Sequence, residues 1–401
     1  MSSLLEIYSI IIMDIAEDTT IKKVDTLLNA DSVEFCPHDG LHHILLCGTY
    51  KLKESTPALL ELEADQVSED TKCKDDATLE DSNTAASQIR LGGVTVYGLV
   101  FNNSSNSDLH LKEWNKIKMC GVLDIKWSPA YVDDKALFGI VDAEGSVQIF
   151  GLTKEDYTPD AISKASLSDC SLGLSLDWTG DNDTDSPLLV ASDSTGCITV
   201  LDVNNNLSML STWKAHDYEA WITAFNKHDS NVVFTGGDDS LLKTWDLRDL
   251  SRPTICSKRH KMGVCSIQSH PFNQHLLATG SYDEELIIWD NRNFKQTLNS
   301  VFLGGGIWRI KWDPQNGRNI LTATMYNGAH IIDCSELGNN TLPVVASYKD
   351  HNLAYGADWC RLNKTGKCRH DDDKYVLIST CSFYDHSLHL WQWKNIIKTN
   401  N

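Results

Sequence analysis

An all-β chain assembled from tandem copies of one strand unit is the fold class this sequence predicts, and three observations predict it. "FTGGDDSLLKTWDLRD" (234–249) and "ATGSYDEELIIWDNRN" (278–293) align without a gap, setting Trp245 and Trp289 44 residues apart. A fixed period of that length marks a repeat architecture. Short runs alternate apolar and polar residues between turn residues, the pattern of half-buried strands, and no convincing helical stretch intervenes.

The copies follow one another in order. The first is degenerate and ends near Tyr97 in "GGVTVYGL"; the second is "VDAEGSVQIF", closing on Phe150; the third is "ASDSTGCITVLD", with Leu201–Asp202. The fourth and fifth are the gapless pair. The sixth is "ATMYNGAHIID", with Ile332–Asp333, and the seventh is "CSFYDHSLHLWQW", with Trp391. From the second copy on, an aromatic-rich strand comes first: "VLDIKWSP", "LSLDWTG", "AWITAF", "VCSIQSHP", "IWRIKWDP" and "AYGADWC". These residues resemble the WD-repeat family. The resemblance implies a seven-bladed WD-repeat β-propeller of four-stranded antiparallel blades over residues 21–401, after an N-terminal extension at 1–20. In such a ring an early strand, here within "TIKKVDTLLNA", completes the last blade and removes the exposed sheet edge. Residues 53–90, acidic and rich in Ser and Thr, interrupt the first blade and read as a disordered surface loop, or, more sharply, as a regulatory docking segment.

The totals narrow the function. A formal charge of −20 argues against nucleic-acid binding, which needs a basic face, and favours a basic partner. Twelve cysteines without a CxxC pair read as reduced, mostly buried thiols. "CRHDDD" (368–373) offers only Cys368 and His370 as good soft ligands, too few for a zinc site, so no metal is expected. No apolar run is long enough to span a membrane. The opening "LLEIYSIIIMDIAED" carries an acid where an export signal would carry positive charge, which predicts a cytoplasmic protein; Met13 is an alternative start.

WD repeats carry a scaffold chain of His, Ser or Thr, Asp and Trp. The fourth copy supplies His216, Thr235, Asp239 and Trp245, and the fifth supplies His260, Thr279, Asp283 and Trp289. Equal spacing assigns His351, Cys381, Asp385 and Trp391 to the seventh, with Cys381 in the hydroxyl position. A thiol, an imidazole and a carboxylate also describe a nucleophile with its base. The scaffold reading is preferred because the same set recurs where no thiol is present. His386 stands where the sister copies have Ser240 and Glu284, so the fold does not require it.

Function is expected where the copies stop resembling one another: "FLGGGIWRIKW" (302–312), "ATMYNGAH" (323–330), "HNLAYGADW" (351–359) and "CSFYDHSLHLW" (381–391). By register all four reach one face, around the channel mouth. Trp308, Tyr355, Tyr326 and Tyr384 are read there as an aromatic recess for a quaternary ammonium, which ring faces attract; core packing is the plainer alternative. The glycines 304–306 present amide N–H groups to an anion or simply make a tight turn.

In this order and spacing the four stretches resemble the WD-repeat diphthine methyl ester hydrolases of the diphthamide pathway, a family catalogued as diphthine methyltransferase. The resemblance implies removal of a methyl ester from methylated diphthine on translation elongation factor 2; the enzyme is expected to be monomeric and to need no cofactor. His351 or His386 is then the candidate base and Asp385 the orienting carboxylate. Arg309, Asn327 and the amides of Gly305 and Gly306 are the candidate oxyanion donors, with Trp308, Tyr326, Tyr355 and Tyr384 around the cation. There is no GxSxG elbow, which sets aside the α/β-hydrolase mechanism. The competing reading is a non-catalytic WD-repeat adaptor for protein assembly or endosomal trafficking, since fold alone does not settle function.

Overall fold

Seven sheets of four antiparallel strands make up the described chain, each from consecutive strands except the last. The computed structural model describes residues 19–53, 89–101, 109–132, 134–168, 171–180, 187–338, 342–363, 365–371 and 373–395. Most of the 1–20 extension and of the 53–90 insertion lies outside the described residues. The strands flanking that insertion, Ile44–Lys53 and Ile89–Phe101, pair with each other in the first blade. Among the described residues no helix is long and apolar enough to cross a membrane.

The first strand of each blade is innermost: Asn29–Phe35, Val122–Val132, Gly173–Trp178, Ile222–Asn226, Val264–Ser269, Arg309–Trp312 and Ala354–Trp359. Each touches the inner strand of the blades on either side, so the seven line a central channel. The ring closes as the repeat implied. Thr19–Asp25 pairs antiparallel with Ser387–Lys394, and Thr26 seals the junction by donating its N–H (2.8 Å) and its hydroxyl (2.9 Å) to the His386 carbonyl. The core lies between blades rather than within them. Each buried apolar cluster joins one pair of neighbours, such as Leu321, Ala323 and Ile331 of blade six against Trp359, Ile378 and Trp391 of blade seven. A flat four-stranded sheet cannot bury both faces alone; stacking on two neighbours does it.

Polar chains inside blades four and five match expectation. Trp245 donates its indole N–H to Thr235 (3.0 Å), Thr235 bonds His216 Nε2 (2.8 Å), and His216 Nδ1 bonds Asp239 (2.8 Å). Blade five repeats this with Trp289, Thr279, His260 and Asp283.

Blade seven corrects the assignment of Cys381. The scaffold hydroxyl is Thr380, which accepts from Trp391 Nε1 (3.1 Å) and bonds His351 Nε2 (2.7 Å). The hydroxyl lies eleven residues before the Trp here but ten before it in blades four and five. The turn is one residue longer, so gapless alignment slips by one, and in a strand a slip of one reverses the face. Cys381 therefore packs in the apolar cluster between blades seven and one, against Gly356, where burial drives its thiol well above the ordinary range. A thiol so buried and protonated is a poor nucleophile. Asp385 reaches His351 only through Ser387, whose hydroxyl donates to Asp385 (3.1 Å) and lies 3.5 Å from His351 Nδ1. Thr380→Val should accordingly lower stability by about 1–3 kcal/mol, because two buried partners lose their bond. Cys381→Ser, which puts a hydroxyl among apolar groups, should also destabilise rather than restore a scaffold bond. Denaturant titration of both variants checks this; an unchanged midpoint for Thr380→Val with a raised one for Cys381→Ser would reverse the assignment.

Candidate functional site

The inner strands place one residue per blade at the channel mouth. In blades one, two, three, five and seven the pairing with the second strand slips by one near the start, which sets Asp31, Leu123, Leu174, Cys265 and Tyr355 in equivalent positions. Such a bulge re-aims a side chain out of the ladder. Trp308 takes this place in blade six, just before the inner strand. Asp31, Tyr355, Tyr282 and Cys265 sense one another electrostatically although they come from blades one, seven and five. Groups on non-adjacent blades meet in this way only across the channel.

Around this ring runs a belt of aromatic contacts. Trp308 stacks on Tyr355 with centroids 4.8 Å apart and meets Trp221 (5.7 Å) and Tyr282 (5.9 Å) edge-on or tilted. Tyr355 continues to Phe383 (5.2 Å), and Phe383 to Tyr384 (5.6 Å) and Tyr50 (6.0 Å). The belt thus passes through blades four, five, six, seven and one. Trp308, Tyr355 and Tyr384 come together as expected; Tyr326, 72% exposed, stands at the rim near Tyr355. The blade-six turn is held beside blade seven by a pair of bonds between Met325 and Ala354, 3.1 and 2.8 Å.

The other predicted residues lie differently. His351 is buried in the scaffold chain and stacks on His389 at 4.2 Å; burial, then the neighbouring His389, lowers its pKa to about 3 and keeps it neutral. His386 takes the left-handed turn conformation (φ 50°), and its carbonyl faces Thr26 and the closing strand, at the opposite end of the turn from Phe383. Arg309 is 7% exposed and gives its charge to Asp124 at 2.9 Å, just below the mouth. Asn327 donates to the Leu303 carbonyl, and its own side-chain oxygen receives Lys349 (2.6 Å). Gly305 and Gly306 have a packing reason: a Cβ would meet the Thr324 carbonyl oxygen at 2.3 Å or the Met325 sulfur at 2.8 Å. Of the "CRHDDD" segment, Arg369 is buried against Asp313, and among the described residues no group of three or more metal-binding side chains gathers.

Asp31 is the residue that sequence reasoning missed. It is 6% exposed on the blade-one inner strand, near Trp308 and Tyr355, and its Oδ1 has no hydrogen-bond partner. Burial raises its pKa from 3.8 to about 7; the Arg309 guanidinium and the Trp308 indole oppose the rise, and Asp124 adds to it. Burial also pushes the phenols of Tyr282 and Tyr355 above the usual range, so both stay protonated. A carboxyl that ionises near neutrality, walled by ring faces, suits a cationic ligand and general-base chemistry together. A signal for it existed in the sequence. Aligning the inner strands puts Asp31 of "NADSVEF" in the column of Trp308 and Tyr355, the one carboxylate there.

A family model for the WD domain, G-beta repeat, matches residues 207–246 and 252–290. Diphthine methyltransferase from Homo sapiens is 35% identical over 93% of this chain and 98% of its own length. The protein of that name from Mus musculus is 38% identical over 84% of this chain and 69% of its own. A diphthine methyltransferase homolog from Dictyostelium discoideum is 36% identical over 90% and 96%. A chain in a crystal structure of the mitotic checkpoint complex superposes with a TM-score of 0.59 over 94% of this chain and 95% of its own, at 16% identity, a likeness of fold alone. Relatives this similar along nearly the whole chain, on a closed seven-bladed ring, show that the protein belongs to the diphthine methyltransferase family, the WD-repeat proteins of the diphthamide pathway.

Proposed function

We propose that this chain hydrolyses the methyl ester of methylated diphthine on translation elongation factor 2, giving diphthine. The observation that carries the reading is Asp31, a buried carboxyl with a pKa near 7, set among Trp308, Tyr355 and Tyr282. The substrate side chain carries a trimethylammonium group next to its ester. The ring faces of Trp308, Tyr355 and Phe383 hold the cation, and its arrival beside Asp31 favours the ionised carboxylate. Asp31 then takes a proton from water as the oxygen attacks the ester carbonyl. The protonated phenols of Tyr282 and Tyr355 donate to the tetrahedral oxyanion, and methanol leaves as its oxygen receives the proton back. Water is the only co-reactant this step needs. We assign the base to Asp31 instead of His351 or His386, because His351 is buried and bonded to Thr380 in the scaffold while Asp31 is the carboxyl beside the ring faces.

The name of the relatives favours a second reading, methyl transfer to the same side chain. Incubating the pure protein with elongation factor bearing methyl-esterified diphthine, with and without S-adenosylmethionine, separates the two by intact mass. Loss of one methyl without added cofactor is expected. Gain of a methyl only with S-adenosylmethionine would replace hydrolysis by transfer; no change in either arm would leave the adaptor reading.

A further inference from the structure

From the distribution of exposed apolar side chains we infer that the protein bearing the esterified residue docks on an arc of blades four to one, leaving blades two and three open. The inference rests on the proposed hydrolysis for the identity of that partner. Exposed large apolar residues on or beside the loops of the mouth face include Leu27 (67%), Tyr218 (63%), Met262 (52%), Phe302 (67%), Tyr326 (72%) and Tyr384 (61%), with Leu52 and Ile89 at the strand ends of blade one. They belong to the ends of blades one, four, five, six and seven. On the opposite face, where the first strands end, Phe272 stands on a loop and Met209, Leu298 and Val344 lie apart from one another at the starts of outer strands of different blades.

The arc coincides with the aromatic belt beneath it, which runs through Trp221, Tyr282, Trp308, Tyr355 and Tyr50 and likewise skips blades two and three. The turns between the second and third strands of those two blades are polar. Asp142 accepts from Ser146 (2.6 Å) and Gln148 (2.8 Å), and Asp193 from Thr195 (2.6 Å). An apolar collar continuous with a cation recess fits a folded protein that presents its modified residue on a protruding loop, with apolar neighbours around the loop's base. Charge gives the partner's sign. On the loops of blades four and five, Asp217, Glu219, Asp238 and Glu284 outnumber Lys258 and Lys261, while Arg259 is paired with Glu285 at 2.9 Å. The partner's surface that meets blades four and five is therefore basic. The gap over blades two and three leaves the docked site a route for water and methanol.

The test uses the full chain with Tyr218→Asp and Met262→Asp, both exposed at the rim and neither among the reacting groups, and Glu144→Gln as a control on blade two. Two substrates are compared: esterified elongation factor, and the methyl ester of an N-trimethylated α-amino acid. The arc variants should raise KM for the protein substrate by roughly tenfold or more while turnover of the small ester stays within about twofold; the control should change neither. Equal loss on both substrates, or no change in KM for the protein, would overturn the docking surface. If the wild type hydrolyses neither substrate, the hydrolysis reading fails on its own. Titration of labelled elongation factor against wild type and variants then still decides: weaker binding by the arc variants supports the surface, and equal binding overturns it.

Discussion

Asp31→Asn should lose at least about 100-fold in kcat/KM, the usual worth of a general base, and should melt higher than the wild type at pH 8. The activity follows from the missing base. The stability follows from linkage. In the unfolded chain the carboxyl titrates near 3.8, whereas burial holds it at about 7 in the fold. Between those values the unfolded chain has released a proton that the fold retains, so stability falls as pH rises through the window. A displacement of that size corresponds to at most roughly 4 kcal/mol. Asparagine keeps the shape and carries no charge to bury. The gap between variant and wild type should be absent below about pH 4 and should level off above about pH 7–8. Thermal melts across that range and a pH–rate profile check both halves, with wild-type kcat/KM rising through about pH 7. An active variant, or one that melts lower at pH 8, would remove Asp31 from the site.

Trp308→Ala should cost roughly 30-fold in kcat/KM, the equivalent of a desolvated cation–π contact of about 2 kcal/mol. The indole stacks on Tyr355 and meets Trp221 and Tyr282, so its loss opens the recess from two sides. The indole also supports the charged form of Asp31, and a variant that keeps the recess closed but loses the N–H should move the acid limb of the pH profile to higher pH. Trp308→Phe keeps a ring face and should retain most of the binding, while still moving the limb because the indole N–H is gone. A neutral isostere of the substrate, with a tert-butyl group in place of the trimethylammonium, separates charge from shape. Equal losses on cationic and neutral esters would make Trp308 a packing residue.

Much of this site was legible before any coordinates. The seven copies, ring closure by an early strand, and the meeting of Trp308, Tyr355 and Tyr384 all follow from register, because a strand's period of two and a fixed repeat leave few freedoms. Two things were not legible. The blade-seven turn is a residue longer than its sisters, and nothing in "STCSFYDHS" says whether the extra residue falls before or after the scaffold hydroxyl; only the partners of His351 and Trp391 show that it is Thr380. Glycines 304–306 looked equally suited to an anion and to a turn, and the closeness of Thr324 and Met325 explains two of them by packing.

The sequence by itself determined the architecture and the face on which its departures gather, since both depend on local alternation and on repetition, which are written in chain order. Only the tertiary structure decided which side chains meet and how deeply each is buried. Asp31 is an ordinary acid in the text and becomes a carboxyl titrating near 7 because ring closure sets it beside Tyr355 on the neighbouring inner strand and opposite Cys265 and Tyr282, away from water. Desolvation is a property of everything that surrounds a group, and those surroundings come from blades whose sequences lie hundreds of residues apart.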